Sequence, residues 1–326
     1  MEAFHESACI QNQLCAVGIQ TTVLQSSDMK FYIVTPTYNA LSWLERNVRS
    51  VADQVGQGVE VHHHVQDGGS ADGTPQWLND WQRKHSDTPG YTFTYESVRD
   101  AGMYDAINKA WDKMPSDAAV TAHLNSDEQY LPGALKGVSE AFEAHSAAEI
   151  VLGTYIIVDA NSRYICHRRP VKPARWRSQT VCEIITCSCF HRVDTFLRRG
   201  IRFDTRYRAL ADMLFYREIV NSAPRFCVRP QLITSMFTVT GDNLAWSQAS
   251  QNEWDAEMNR LPWYVSRRHG IAYRVNNLLR RIADMLSPAP GKYSIYMPQK
   301  DERDTYCIHR PTAHWGMRTT ADDAEK

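Results

Sequence analysis

The sequence predicts an α/β fold, a mostly parallel central sheet with helices on both faces, followed by a C-terminal helical extension. Three observations carry this. From Lys30 onward, short β-branched and aromatic runs alternate with segments of helical period, the pattern of strand–helix–strand units. Each of the first four strands ends in a cluster of polar and small residues, where open α/β sheets collect their ligands. The chain has 326 residues, 43% hydrophobic and 22% charged, enough for one large domain with an appendage or for two domains.

Residues 1–28 have neither helical nor strand period and read as a dispensable N-terminal extension, so the domain is expected to begin at Met29. The first strand is the run Phe31-Tyr32-Ile33-Val34, closed by Pro36. Leu44, Val48, Val51 and Val55 then recur at helical spacing. The second strand, Val59 to Gln66, runs into Asp67-Gly68-Gly69-Ser70, after which Thr74 and Pro75 are the expected N-cap and first residue of a helix burying Trp77, Leu78 and Trp81. The third strand is expected at Tyr91 to Glu96. Met103, Ile107, Ala110, Trp111 and Met114 mark another helix, and Ala118 to Leu124 forms the strand that leads into Asn125-Ser126-Asp127-Glu128.

A helix over Leu135 to Ala144 follows, with strands at Ile150 to Val158 and Tyr164 to His167 joined as a hairpin. Residues 170–250 mix short segments with loops. Residues 252–286 are helical, and the tail from Ser287 is expected to be irregular because it carries Pro, Gly and an acidic end. This gives a catalytic domain over 29–250, divided into a ligand-binding half (29–130) and a second half (131–250), with 251–326 as the helical region and tail.

Composition narrows the function. With 36 Lys and Arg against 37 Asp and Glu, a net charge of −1, the chain lacks the basic excess that binding to a phosphate backbone demands, and no nucleic-acid partner is expected. No run of about 18 apolar residues spans a bilayer, and no basic stretch followed by an apolar run marks a secretory signal. A cytoplasmic location is expected. The eight cysteines suit a reducing compartment. Cys187, Cys189 and His191 alternate and would share one face of a strand, which reads as core packing, and His62-His63-His64 would be split between two faces.

Neither G-x-x-x-x-G-K-[ST] nor G-x-G-x-x-G is present. An acidic pair at a strand end stands in their place. Carboxylate oxygens there suit Mg2+ or Mn2+, which bridges the phosphates of a nucleoside diphosphate and neutralises charge on a leaving diphosphate.

Taken in order, Thr35-Pro36-Thr37-Tyr38-Asn39, Gln66-Asp67-Gly68-Gly69-Ser70-Ala71-Asp72-Gly73-Thr74, Asp100-Ala101-Gly102-Met103-Tyr104-Asp105 and Leu124-Asn125-Ser126-Asp127-Glu128 resemble the family 2 glycosyltransferases of the glycosyltransferase A fold, a Rossmann-like nucleotide-diphospho-sugar transferase architecture. The resemblance covers roughly residues 30 to 220. It implies a nucleotide-sugar site in which Thr35, Pro36, Tyr38 and Asp67 hold the base and ribose, with Thr37, Asn39, Gly68 and Ser70 in the same loops. Arg99 and Asp100 border the diphosphate or ribose. Asn125-Ser126-Asp127 occupies the aspartate-x-aspartate metal motif, with Asp127 the expected ligand and Glu128 a second within reach of its longer arm. The segment Phe203 to Arg217 is similar to the one that opens a helix with the catalytic base, which makes Asp212 that base.

The function implied is an inverting transfer of a sugar from a nucleotide diphosphate donor, UDP-linked, to a hydroxyl of a glycan or lipid-linked acceptor in bacterial surface-polysaccharide assembly. Two alternatives stand beside it. A non-catalytic nucleotide-sugar-binding subunit is motivated by the departures at Asn125 and Glu128; a nicotinamide-dependent dehydrogenase shares the sheet class but lacks the glycine fingerprint. The stretch Trp263 to Leu286, with Arg267, Arg268, Arg274, Arg280 and Arg281 among aromatic and aliphatic residues, is expected either to lie on an anionic membrane surface or to pack on the domain with a charged outer face.

Overall fold

The computed structural model describes residues 28–313 except 242, 245 and 246. The expected extension, residues 1–28, lies outside the described residues apart from Asp28. In chain order the elements are β1 (Met29–Thr37), α1 (Leu41–Ala52), β2 (Val59–Asp67), α2 (Thr74–Lys84), β3 (Tyr91–Ser97), α3 (Met103–Trp111), β4 (Val120–His123), β5 (Gln129–Tyr130), α4 (Ala134–Ala144), β6 (Ile150–Asp159) and β7 (Tyr164–Arg168). They continue as α5 (Arg175–Ser178), a 3-10 turn (Thr186–Ser188), β8 (Cys189–Arg192), α6 (Val193–Arg199), α7 (Ala211–Asn221), β9 (Phe226–Val239), α8 (Gln248–Arg260), α9 (Trp263–Ser266), α10 (His269–Met285), β10 (Lys292–Tyr296) and β11 (Arg303–Cys307).

The main sheet runs β3-β2-β1-β4-β8-β6-β9-β5, with β7 paired to β6. Strands β1, β2, β3 and β4 are mutually parallel. Because β8 is antiparallel to both β4 and β6, and β9 is parallel to β6, six strands share one direction. The sheet is therefore mostly parallel, as the alternating pattern predicts, and its C-terminal strand ends gather on one side.

Both faces of the sheet are covered, so β1 reads as a continuous apolar run rather than an alternating one. Phe31 and Ile33 pack with Leu44, Val48 and Val51 of α1, Leu78 of α2, and Leu135, Val138 and Phe142 of α4. Tyr32 and Val34 face the other way, onto Ile107 and Trp111 of α3 and Phe215 and Ile219 of α7. Each fully buried Val, Leu, Ile or Phe contributes about 1.5–3 kcal/mol on transfer out of water. Trp111 stacks on Phe203 and Phe215 and meets Phe196 edge-on, which pins the loop before α7 to α3.

Four expectations are corrected. Thr74 is the first residue of α2 rather than its cap. The Asp72 carboxylate accepts from Thr74 N and Oγ1, and so satisfies an orphan donor from two residues upstream. The region 170–250 contains a 14-residue strand, β9, hidden in the sequence by Pro230. There the register with β6 shifts between Gly153 and Thr154, and the Pro230 carbonyl accepts from Thr154 Oγ1 and Arg169 Nη1, both at 2.7 Å. Cys187 does not share a face with Cys189 and His191. It sits in the turn before β8, in the opposite core layer from Cys189, and no metal-binding group of three His, Cys, Asp or Glu exists among the described residues.

The tail, finally, is not irregular. β10 and β11 form an antiparallel hairpin whose Tyr293 and Ile295, with Ile308, pack on Leu131, Ile156, Val158 and Met236. Arg303 binds Asp53 just past α1 at 2.6 and 2.8 Å and donates to Tyr130 O, and Tyr296 Oη reaches the same carboxylate at 3.0 Å. Among the described residues no helix is long and apolar enough to cross a membrane.

Candidate active site

A cavity of about 1240 Å³ opens at the C-terminal ends of the parallel strands. One wall is made by Pro36 and Thr37 at the end of β1 with Tyr38 just beyond, Gly68 and Gly69 after β2, Arg99, Asp100, Gly102, Met103 and Tyr104 around the start of α3, and Asn125, Ser126 and Asp127 after β4. The opposite wall comes from Tyr155 on β6, Arg168 on β7, the segment Val181 to Thr186, Asp212 and Met213 of α7, Trp254 of α8, and Tyr273, Asn276, Asn277 and Arg280 of α10. Ten of the fifteen residues expected from the sequence thus line one cavity.

The other five support it or stand behind it. Thr35 is fully buried, its hydroxyl 3.1 Å from Asn47 Oδ1 and 2.9 Å from His63 Nε2. Asp67 is also fully buried. Its oxygens take Ser70 Oγ (2.5 Å), Ser70 N (3.0 Å) and Ser97 Oγ (2.5 Å), so this carboxylate holds the β2 loop to the end of β3. Ser70 accepts from Asn39 N, and Asn39 Oδ1 accepts from Ala71 N, with Asn39 in the left-handed region at φ 47°, a conformation Asn tolerates. Glu128 points inward: Oε2 accepts from Asn125 N at 2.7 Å and Oε1 has no partner among the described residues. Burial and the Asp127 charge raise its pKa well above the carboxylate range. The longer arm expected to reach a metal is folded under the loop instead.

That loop is clamped through its backbone. Asn47 Nδ2 donates to Asn125 O and Glu128 O, Ser126 Oγ to Pro36 O, and Thr238 Oγ1 to Asp127 O at 2.5 Å. Asp127 therefore meets the cavity in a fixed direction. Its pKa is raised to about 6 by burial, opposed by the nearby Arg46 guanidinium. Arg46 is itself buried, donates to Ser42 O and stacks on Trp43 at 3.9 Å. No pattern marks it in advance, since Arg46 sits in an otherwise ordinary helical period.

Asp100 folds back beneath the β2 loop. It accepts from Gly102 N at 2.8 Å, and a Cβ at Gly68 would stand 2.9 Å from its Oδ2. Burial raises its pKa. Across the cavity, Asp212 lies in the first turn of α7, accepts from Met213 N at 2.7 Å, and receives the Tyr104 hydroxyl. Desolvation outweighs both hydrogen bonds and raises its pKa to about 6. This leaves a carboxylate that is ionised at neutral pH yet basic enough to accept a proton.

A divalent cation suits these residues. Asp127 supplies a hard carboxylate on the cavity wall, and Asn125 carries an Oδ1 without a partner among the described residues. One or two oxygens of this kind, completed by substrate phosphates and water, is the usual protein share of a Mg2+ site.

Residues 32–203 match the sequence profile described as Glycosyl transferase family 2. The chain belongs to that family. The search of curated proteins found no match. Among solved structures the family 2 chain is similar to S. aureus TarS 1-349 in complex with UDP-GlcNAc, at 18% identity and a TM-score of 0.56, over 71% of this chain and 64% of that one. It thus spans less than two thirds of that relative's length. It is also similar to the mannosyltransferase PcManGT from Pyrobaculum calidifontis in complex with GDP-Man and Mn2+, at 16% identity and a TM-score of 0.53, over 78% and 73% of the two chains. At such identities the likeness is one of fold, and it agrees with the glycosyltransferase A architecture expected from the motifs.

Sequence reasoning missed Arg46, Tyr104, Cys182 and the whole α10 wall. For the last a signal existed: Tyr273, Asn276, Asn277 and Arg280 fall at i, i+3, i+4 and i+7, one face of a helix.

Proposed function

We propose that this chain is an inverting glycosyltransferase that moves a sugar from a nucleotide diphosphate donor, UDP-linked, to a hydroxyl of a glycan or lipid-linked acceptor. One observation carries the reading. Asp127 and Asp212 line the same cavity, each with its pKa raised to about 6.

In this reading Asp212 takes the proton of the acceptor hydroxyl, and the oxygen attacks the anomeric carbon as the bond to the diphosphate breaks. The bonding pair leaves with the diphosphate oxygen. Attack from the face opposite the leaving group inverts the anomeric centre. Asp127, with Asn125 beside it, would hold Mg2+ or Mn2+, which supplies Lewis-acid neutralisation of the leaving diphosphate. Pro36, Thr37, Tyr38 and Gly68 form the base and ribose side, and Arg99 and Asp100 border the diphosphate. Asp67, Ser70 and Asn39 shape the loops that present them. The bound UDP-GlcNAc of TarS and the GDP-Man and Mn2+ of PcManGT support the donor class and the metal.

The setting follows from α10. Its exposed side carries Ile271, Leu278, Ile282 and Met285 together with Arg274 and Arg281, the composition of a helix lying on an anionic bilayer. We place the enzyme at the cytoplasmic face of such a membrane, in surface-polysaccharide assembly.

The test is Mn2+-dependent UDP release and sugar transfer. Asp127→Ala abolishes donor binding in the presence of Mn2+, whereas Asp212→Asn keeps donor binding and loses transfer by about a hundredfold or more. Normal turnover by Asp212→Asn refutes the assigned base. Tight UDP-sugar binding with no hydrolysis and no transfer establishes the non-catalytic alternative, which the inward turn of Glu128 favours.

A further inference from the structure

The acceptor wall of the cavity holds two guanidinium groups without a carboxylate partner. Arg168 and Arg280 both line the cavity, and neither forms an ion pair among the described residues. Two carboxylates behind that wall are taken by other cations. Glu183 binds Arg177 Nε at 2.6 Å, and Asp284 binds His167 Nε2 at 2.5 Å and Arg169 Nε at 3.1 Å.

Arg280 is 7% exposed and is held by two backbone carbonyls, Arg169 O at 2.8 Å and Glu183 O at 3.2 Å. Among the described residues the Arg168 side chain makes one long hydrogen bond, to Ala313 O at 3.4 Å. The Nε donor of each has no hydrogen-bond partner among the described residues. A guanidinium does not shed its proton, so both stay charged, and Arg168 repels the buried Arg280 with Glu183 offsetting part of that repulsion. Cys182 lines the same cavity near both Arg280 and the proposed base Asp212.

We propose that Arg168 and Arg280 form an anion subsite for the acceptor: a phosphate or carboxylate carried by the acceptor docks there and leaves its hydroxyl toward Asp212. This rests on the glycosyltransferase reading of the cavity and names the acceptor class, an anionic rather than a neutral glycan or lipid-linked sugar. Bidentate pairing with planar guanidinium groups suits both phosphate and carboxylate oxygens. A lipid-linked sugar phosphate and a uronic acid residue are the two sources of such oxygens.

The test is calorimetric titration of the full-length chain, with its donor site filled by UDP and Mn2+. The probes are sn-glycerol 3-phosphate and glucuronate, with glycerol and glucose as neutral controls. The expected result is binding of at least one anion and of neither control, with the preferred anion identifying the source. Arg168→Gln, which removes no strong internal bond, weakens the anion by about tenfold or more, Arg280→Lys keeps part of the affinity, and UDP affinity stays unchanged in both. Equal binding of anions and neutral controls, an unchanged anion affinity in Arg168→Gln, or an equal loss of UDP affinity in the variants overturns the subsite. Failure of the wild-type chain to bind UDP refutes the glycosyltransferase reading instead, and the anion titration without UDP then still reads the subsite on its own.

Discussion

Asp212 is a carboxylate whose proton affinity has been raised by burial against the opposing pull of two hydrogen bonds, and the sign of that shift has consequences for both rate and stability. Transfer needs the ionised form, so the rate should rise about tenfold per pH unit up to about pH 6 and level off above it. Stability runs the other way. The folded pKa exceeds the ordinary value of 3.8, so the contribution of this group is fully present below about pH 4 and is lost as pH rises through about 6. Asp212→Asn, which cannot ionise, is therefore expected to melt higher than the wild type at pH 7.5 and no higher at pH 4, measured by thermal denaturation of the ligand-free chain. An equal melting temperature at pH 7.5 would show that desolvation does not set this pKa. A second residue-scale expectation concerns Gly68. A Cβ there meets the tip of the Asp100 side chain rather than backbone, so Gly68→Ala should fold normally while displacing Asp100 and weakening UDP binding by about tenfold, a change read by titration.

Among the elements, α10 reverses the usual amphipathic arrangement. Asn276 and Arg280 are buried and the apolar Ile271, Leu278, Ile282 and Met285 are outside. A helix packed on a domain with a charged outer face would show the opposite. Replacing both Leu278 and Ile282 with Glu should abolish co-sedimentation with phosphatidylglycerol vesicles, and it should leave transfer to a water-soluble acceptor intact. Retained vesicle binding would mean that another surface makes the contact. The sequence announced the helicity of this region through its period, but not which side faced inward, because Arg280 among Arg274 and Arg281 looks like one more solvated cation. The strands and helices of the first half were legible for a simpler reason: in Phe31 to Val34, in Leu44, Val48 and Val51, and in Ile107 to Trp111, local propensity and tertiary burial agree. β9 was not legible, since Pro230 breaks the local rule and the compensating bonds come from Thr154 and Arg169, both distant in sequence.

Across the whole molecule, the strand-end clusters at residues 35–39, 67–70, 99–100 and 125–127 did foretell where the cavity lies, because a parallel sheet must bring those ends to one side. They did not tell a lining residue from a bracing one. Asp67 and Asp127 are alike as letters, and only the Ser70 and Ser97 hydroxyls that occupy Asp67 separate their roles. The tail escaped sequence reading too, its hairpin being stabilised by a core layer and by Asp53 some 250 positions earlier. This distant attachment bears on how the protein is to be handled. Cutting the chain after Met285 removes Tyr296 and Arg303, strands the Asp53 carboxylate, uncovers Ile156, Val158 and Met236, and frees the far end of the helix whose Arg46 and Asn47 steady the Asp127 loop. A shortened version of that kind should precipitate or lose manganese-dependent UDP binding, even though every residue assigned to the chemistry is still present.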